Sequence, residues 1–439
     1  MKNKRSFCGL VVLSLSLLTF LFKNACSPSV VAARTESGTT ADEQRAFVKW
    51  VSESAIPINA LETGRDFSDI SRVSKIIGSA QIVGLGEATH GSREIFQLKE
   101  RIVEYLATQK GFSVLAIEAN MPDVQRINEF ILDGDGDPKE LLKGLYWAWS
   151  TQEALDLILW MRELNQSGKG RVELAGFDMQ NPDRAMDIVK HFVQKQEPTY
   201  FGHVQQVYAA VQTVRSSRSS PPPAVDLKQL TQDCDGIFRH LDKSRVRSDN
   251  RQLSELRWAT QMARLVRQYV QMRTGRKSRD ESMAENVTWL AGRSPDTKLA
   301  LWAHNGHVTY DGNSYKSMGS YLKKIFGHRL VTFGSIFNGG SFRASDGGKG
   351  TREFSIGPAP NGSLDCALAS AGIPLFALDL RTLTKNRPAA KWASEPHPSR
   401  SIGAVYLGPD DPSTTVEVPI RRRFDAVLFV NETSATRPN

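Results

Sequence analysis

Gly84-Leu85-Gly86-Glu87-Ala88-Thr89-His90-Gly91-Ser92-Arg93 closes a short apolar run, Ala80 to Leu85, and delivers an acid, an imidazole and a cation within seven residues. A strand that empties through glycines into a helix is where side chains gather in open α/β sheets, because the carboxyl edge of the sheet forms a crevice. An ordinary strand-to-helix loop with a solvated Glu87 and a helix-capping Ser92 has the same local sequence. The surrounding chain therefore has to decide between the two.

Downstream, Ile95, Ile102, Val103 and Leu106 make an apolar stripe at helical spacing over Ser92 to Thr108. A strand over Ser113 to Ile117 ends at Glu118, and Pro122 in a first turn opens a helix through Leu132 that Gly134 and Gly136 close. Ser150 and Glu153 have the spacing of a capping box for a helix reaching about Leu164, and a strand over Val172 to Phe177 ends at Asp178. From about Pro182 to Gly292 the periodicity is helical only: Ala185 to Lys195, Phe201 to Val214, Leu227 to Leu241, Asn250 to Met272 and Ser278 to Leu290, with Pro221-Pro222-Pro223 in a surface loop. Strand patterns resume at Lys298 to Trp302, leading into Ala303-His304-Asn305-Gly306-His307. They continue at Arg329 to Ile336, Leu375 to Leu380 and Phe424 to Val430. Upstream, Asp42 to Ser54 has helical spacing. Strands separated by helices predict an α/β fold: a largely parallel sheet flanked by helices, with an all-helical lobe inserted at about 182–292.

With 439 residues, 40% apolar and 23% charged, the chain has ordinary globular composition, and one large domain over residues 34–439 is the expected organisation. Lys2, Lys4 and Arg5, the apolar run Leu10 to Phe22 and the small residues ending Val31-Ala32-Ala33 read as a secretory signal over residues 1–33. The mature protein is expected to be secreted or periplasmic, without an integral membrane segment. Lipid anchoring through Cys26 is the weaker alternative, since Lys23 and Asn24 make a poor lipoprotein box. Removing residues 1–33, with four cations and no acid, lowers the formal net charge from +9 to +5. The remaining cations are scattered apart from Arg273, Arg276, Lys277 and Arg279, so nucleic acid is not an expected partner. Cys234 and Cys366 sit in no metal or nucleophile motif.

Glu87, Glu118, Asp178 and His304 each fall at the carboxyl end of a different expected strand, and a parallel sheet puts those ends on one side. Individually they have structural readings, as helix caps, a satisfied core histidine or, for His307, a solvated loop residue. Jointly they mark an active site. Three histidines and three carboxyls could hold a divalent metal such as zinc, although His304 and His307 lack the helical context of a zinc motif. The alternative is metal-free catalysis by a histidine that draws a proton from water. No G-x-S-x-G elbow or cysteine nucleophile is present, which favours direct attack by water.

These motifs, together with Ile117-Glu118, Gly176-Phe177-Asp178, Arg279-Asp280 through Met283-Ala284-Glu285-Asn286 and Arg423-Phe424-Asp425-Ala426-Val427, resemble the erythromycin esterase family over about residues 45–435. The resemblance implies an α/β core with a helical lobe, a small-molecule ester or macrolide lactone substrate and no required cofactor. It takes His90 as base, with Glu87, Glu118 and His304 corresponding to the other motif residues; these four are the expected catalytic residues, and Arg93, Lys99, Asp178 and His307 are expected to bind substrate. Macrolide-degrading members carry an arginine on the first helix where this chain has Lys99, which keeps the charge and loses bidentate geometry. Two other functions compete with the ester hydrolase: a metal-dependent hydrolase acting on another bond, and a non-catalytic envelope protein that captures a ligand in the same crevice.

Overall fold

The computed structural model describes residues 40–217, 225–244, 250–312, 314–384, 387–417 and 419–439. The signal-like residues 1–33, Cys8, Cys26 and the Pro221-Pro222-Pro223 stretch lie outside them.

Among the described residues there are eleven strands: β1 Ile56–Pro57, β2 Ile82–Glu87, β3 Val114–Asn120, β4 Glu173–Asp178, β5 Leu299–His304, β6 Leu330–Ser345, β7 Thr351–Ile356, β8 Leu375–Asp379, β9 Pro398–Arg400, β10 Thr415–Glu417 and β11 Ala426–Thr433. Nine of them form one sheet in the order β1-β8-β11-β6-β2-β5-β3-β4, with β7 folded back on β6. From β11 to β4 every neighbouring pair is parallel; β7 and β8 run against this direction, and β1, antiparallel to β8, runs with it. β2 is buried at every position, as the near-continuous apolar run of a strand covered on both faces requires. One apolar core, including Ile82, Leu301 and Val287, lies on one face of the sheet, and a second, including Leu85, Ile102 and Trp302, on the other.

Between β4 and β5 the described chain forms helices only: Asp183–Gln196, Pro198–Ser216, Leu227–Lys243, Asn250–Arg273 and Arg279–Ala291. The helix after β3 spans Met121–Asp133, with Pro122 in its first turn and left-handed Gly134 (φ 91°) as its cap. Two expected caps differ. The side chain of Thr151, not Ser150, accepts from the Ala154 N–H at the start of the Gln152–Ser167 helix. Ser92 precedes the Arg93–Gln109 helix without capping it, and its hydroxyl is buried without a partner.

β6 is twice as long as expected. It pairs with β2 as far as Phe333, then continues through Ser345 and turns back as β7. This hairpin docks on the loop after β2: the Arg343 N–H donates to the Gly91 carbonyl at 3.0 Å. Residues 434–439 complete the clamp. The Thr436 N–H also donates to Gly91 O (2.9 Å), Arg93 N–H donates to Ser434 O (2.9 Å), and Gln152 N–H to Arg437 O (2.9 Å). The loop that carries His90 is thus held from two sides.

Gly91 has no room for a side chain, because a Cβ there would lie 1.9 Å from Arg343 O; one at helical Gly202 would meet nothing within 4 Å. Gly91→Ala should therefore destabilise the protein by about 1–3 kcal/mol, whereas Gly202→Ala should stabilise it by roughly 1 kcal/mol. Urea-unfolding midpoints measure both. A Gly91→Ala protein as stable as wild type would contradict the docking of the hairpin on this loop.

Candidate active site

Since β2, β5, β3 and β4 are consecutive and parallel, their carboxyl ends place Glu87, His304, Glu118 and Asp178 side by side in that order. An irregularity in the β3–β4 register between Ile117 and Asn120 falls at Glu118, where such a shift re-aims the side chain.

Two knots of charge meet there. Glu87 is the centre of the first: it accepts from Lys99 Nζ (2.8 Å) and Trp302 Nε1 (2.7 Å) on one oxygen, while His90 Nδ1 lies 2.6 Å from the other. Burial acts to raise the pKa of Glu87, but Lys99 and His90 outweigh it and bring it down to about 2. An ionised carboxylate only accepts, so the proton of a neutral His90 sits on Nδ1 and the Nε2 lone pair is left free. Burial disfavours the charged ring, but Glu87, and beyond it Glu118, raise the His90 pKa above its ordinary value. Lys99 is wholly buried with its ammonium 4.2 Å from the centre of the Trp302 ring; burial lowers its pKa to about 8 against the pull of Glu87.

Arg279 is the centre of the second knot. Its Nη2 donates to Glu118 (2.8 Å) and Asp178 (2.7 Å), and its Nη1 lies 3.0 Å from His307 Nε2. His307 Nδ1 is 2.8 Å from Asp280 and its Nε2 3.3 Å from Glu118. Burial opposes charge on His307, yet Glu118 and Asp280 prevail and raise its pKa to about 10. Burial likewise works to raise Glu118, but His307 and Arg279 hold it well below the usual carboxylate range.

His304 joins the knots. Its backbone N–H donates to Glu118 Oε2 (2.9 Å), and its ring lies 5.4 Å from that of His90. The Gly306 N–H donates to His304 Nδ1 (3.1 Å), which places the proton of the neutral ring on Nε2; that atom is buried without a hydrogen-bond partner. Burial, then the neighbouring His90, push the His304 pKa down to about 3. Asn305 braces this turn by exchanging hydrogen bonds with the backbone of Ser335 (2.7 and 3.1 Å).

Three of the expected substrate contacts have protein partners in this structure. The Arg93 guanidinium faces buried Glu153 (3.7 Å), which also takes Arg437 (2.9 Å). Lys99 and Asp178 are fully buried and hold Glu87 and Arg279, so neither is open to a ligand. His307 remains at the cluster with 16% of its side chain exposed. Arg279 and Trp302 were not assigned roles from sequence. The Arg279-Asp280 pair opening a helix was the available signal for the first, and nothing local distinguishes Trp302 from a core residue. Among the described residues no group of three or more His, Cys, Asp or Glu is arranged to hold a metal ion. The carboxyl oxygens of both knots already face Lys99, Arg279 and N–H donors. Cys234 and Cys366 are free thiols.

A family model described as erythromycin esterase matches residues 107–433, a span containing Glu118, Arg279, His304 and His307 but not Glu87 or His90. The Bacillus subtilis (strain 168) protein YbfO, provisionally named a hydrolase, is 24% identical over 433 residues, 90% of this chain and 92% of its own length. Erythromycin esterase type II of Escherichia coli is 24% identical over 367 residues, 74% of this chain and 87% of its own. The crystal structure of a succinoglycan biosynthesis protein superposes with a TM-score of 0.77 at 25% identity, covering 91% of this chain and all of the other.

The two histidines of the His304-x-x-His307 pair should differ in charge at one pH. Long-range ¹H–¹⁵N spectra should show His304 neutral with its proton on Nε2 at pH 5, and His307 doubly protonated at pH 8. A charged His304 at pH 5 would contradict the hydrogen bond from Gly306.

Proposed function

The chain belongs to the erythromycin esterase family, which indicates a hydrolase, and we propose that it hydrolyses a carboxylic ester or lactone with a water molecule activated by His90. The observation that carries the reading is the pairing of two unlike imidazoles: His90, oriented by an ionised Glu87 with Nε2 free, and His304, neutral with an unpartnered Nε2–H. The first is fitted to accept a proton and the second to donate a hydrogen bond.

In the proposed reaction, His90 Nε2 takes a proton from water as the water oxygen bonds to the carbonyl carbon. The carbonyl π pair moves to oxygen, and the His304 Nε2–H stabilises the oxyanion. A histidine that stays neutral makes a donor without competing for the proton in flight, which a pKa of about 3 ensures. On collapse the C–O bond to the alcohol breaks, and the leaving oxygen takes the proton back from His90. Glu87 stabilises the transient imidazolium and fixes its orientation, the part a carboxylate plays behind any histidine base. Glu118 and Arg279 act through others: Glu118 holds the His304 backbone and Arg279 holds Glu118. A macrolide lactone is the proposed substrate by kinship with the Escherichia coli enzyme, and the signal-like residues 1–33 support action outside the cytoplasm.

His90→Ala should lower kcat by about 10²–10⁴ with KM little changed, measured on a panel of esters and lactones. Activity of the wild type should rise with pH through the His90 pKa, which Glu87 places above 6.5. Because only the neutral ring accepts a proton, Glu87→Gln should move this limb to lower pH, burial then acting with less opposition. A His90→Ala enzyme with wild-type turnover would end the proposal.

Amino-terminal sequencing of the exported protein should give a mature end after Ala33. A lipidated Cys26 at that end would overturn the secreted form.

A further inference from the structure

The cluster is polar throughout, so it can orient a reacting ester group but offers little to the rest of a substrate. Ligand sites usually supply that grip with apolar and aromatic walls. Among the described residues the exposed large apolar side chains include just two aromatics, Tyr146 (51% exposed) and Tyr315 (48%), and both belong to this site.

Tyr315 is anchored inside the His304-x-x-His307 turn, where its hydroxyl donates to Gly306 O at 2.8 Å. Two glycines make room for it: a Cβ on Gly306 would lie 2.8 Å from the hydroxyl, and one on Gly312 within 2.9 Å of the ring. Tyr146 is fixed from the other segment. Its carbonyl accepts the Trp149 N–H (2.9 Å), and the Trp149 indole N–H donates to Glu118 O (3.2 Å). Trp149 packs in turn on Phe96 and Trp302, so the turn presenting Tyr146 is tied to the strand of Glu118 and to the ring beneath Lys99. Each phenol lies near enough to Glu118 to feel its charge.

Leaving two rings half exposed forgoes the gain from burying them. A tyrosine in this position offers a rigid apolar face and a polar tip at small entropic cost when a ligand covers it. We infer that Tyr146 and Tyr315 are specificity-determining residues that grip the apolar body of the substrate, so that esters with a bulky, ring-like acyl body are preferred over short-chain ones. This inference rests on the ester-hydrolase reading above.

The test compares methyl cyclohexanecarboxylate with methyl acetate by pH-stat titration in wild type, Tyr146→Ala, Tyr315→Ala and Tyr146→Phe. Wild type should prefer the cyclohexane ester. Each alanine variant should raise KM for that ester about tenfold and lower its kcat/KM several-fold more than it lowers that for methyl acetate. Tyr146→Phe should behave as wild type. Equal losses on both esters would mark a structural effect, and no loss an idle surface; either overturns the inference. Binding of cyclohexyl methyl ketone, a like-shaped compound without a leaving group, is followed by calorimetry alongside. If wild type cleaves neither ester, the hydrolase reading is decided by the wider ester and lactone panel, and the ketone still decides the inference: affinity that falls about tenfold in both alanine variants supports the tyrosine grip. Equal affinity in the variants, or no binding to wild type, refutes it.

Discussion

An ionised carboxylate stands in the interior at the end of the central strand, and that constraint shapes its surroundings. Burying such a charge costs several kcal/mol unless it is paired and hydrogen-bonded. Glu87 is 6% exposed and receives an ammonium, an indole N–H and an imidazole, each from a different element: the Arg93–Gln109 helix, β5 and the loop after β2. Satisfying one anion thereby fixes three pieces of chain about a single point. Lysine suits this position because a compact ammonium can bond Glu87 while resting over the Trp302 ring.

Around that point the same residue type takes opposite states. His304 has one backbone donor on its ring and no carboxyl bonded to its side chain, so burial dominates and it stays neutral. His307, three residues on, lies between Asp280 and Glu118, and their charges overcome burial. Environment thus divides labour between two identical side chains: one is free to donate to a reacting oxygen, the other serves as part of the charged scaffold.

Much of this was readable in the sequence because strands of a parallel sheet announce themselves as apolar runs, and their ends fall where turn residues begin. Glu87, Glu118, Asp178 and His304 were located that way, and the helices between β4 and β5 by their 3.6-residue period. Which residues partner one another was not readable. Arg279 lies 101 positions beyond Asp178 and 161 beyond Glu118, a pairing no local pattern encodes. The proximity of Arg93 in sequence to His90 likewise said nothing of Glu153, its partner on another helix. Thr151 displaced Ser150 as a cap because one residue's difference lies within the tolerance of any periodicity argument. The extension of β6 and its return as β7 were not legible, because Asn338-Gly339-Gly340 has turn composition, whereas the chain carries on through it as a strand.

The strand order carries a consequence for how the molecule is made. β2 lies between β5 and β6, so its edges stay bare until the ribosome has added about 200 further residues, and the clamp on Gly91 awaits residues 434–439. Contacts so distant in sequence are slow to form, and an unpaired apolar strand invites association with other chains meanwhile. The intervening helices can form from local contacts alone during that interval. Assembly of the catalytic crevice should therefore be among the last events of folding, and the protein should depend on chaperones more than its ordinary size and composition suggest.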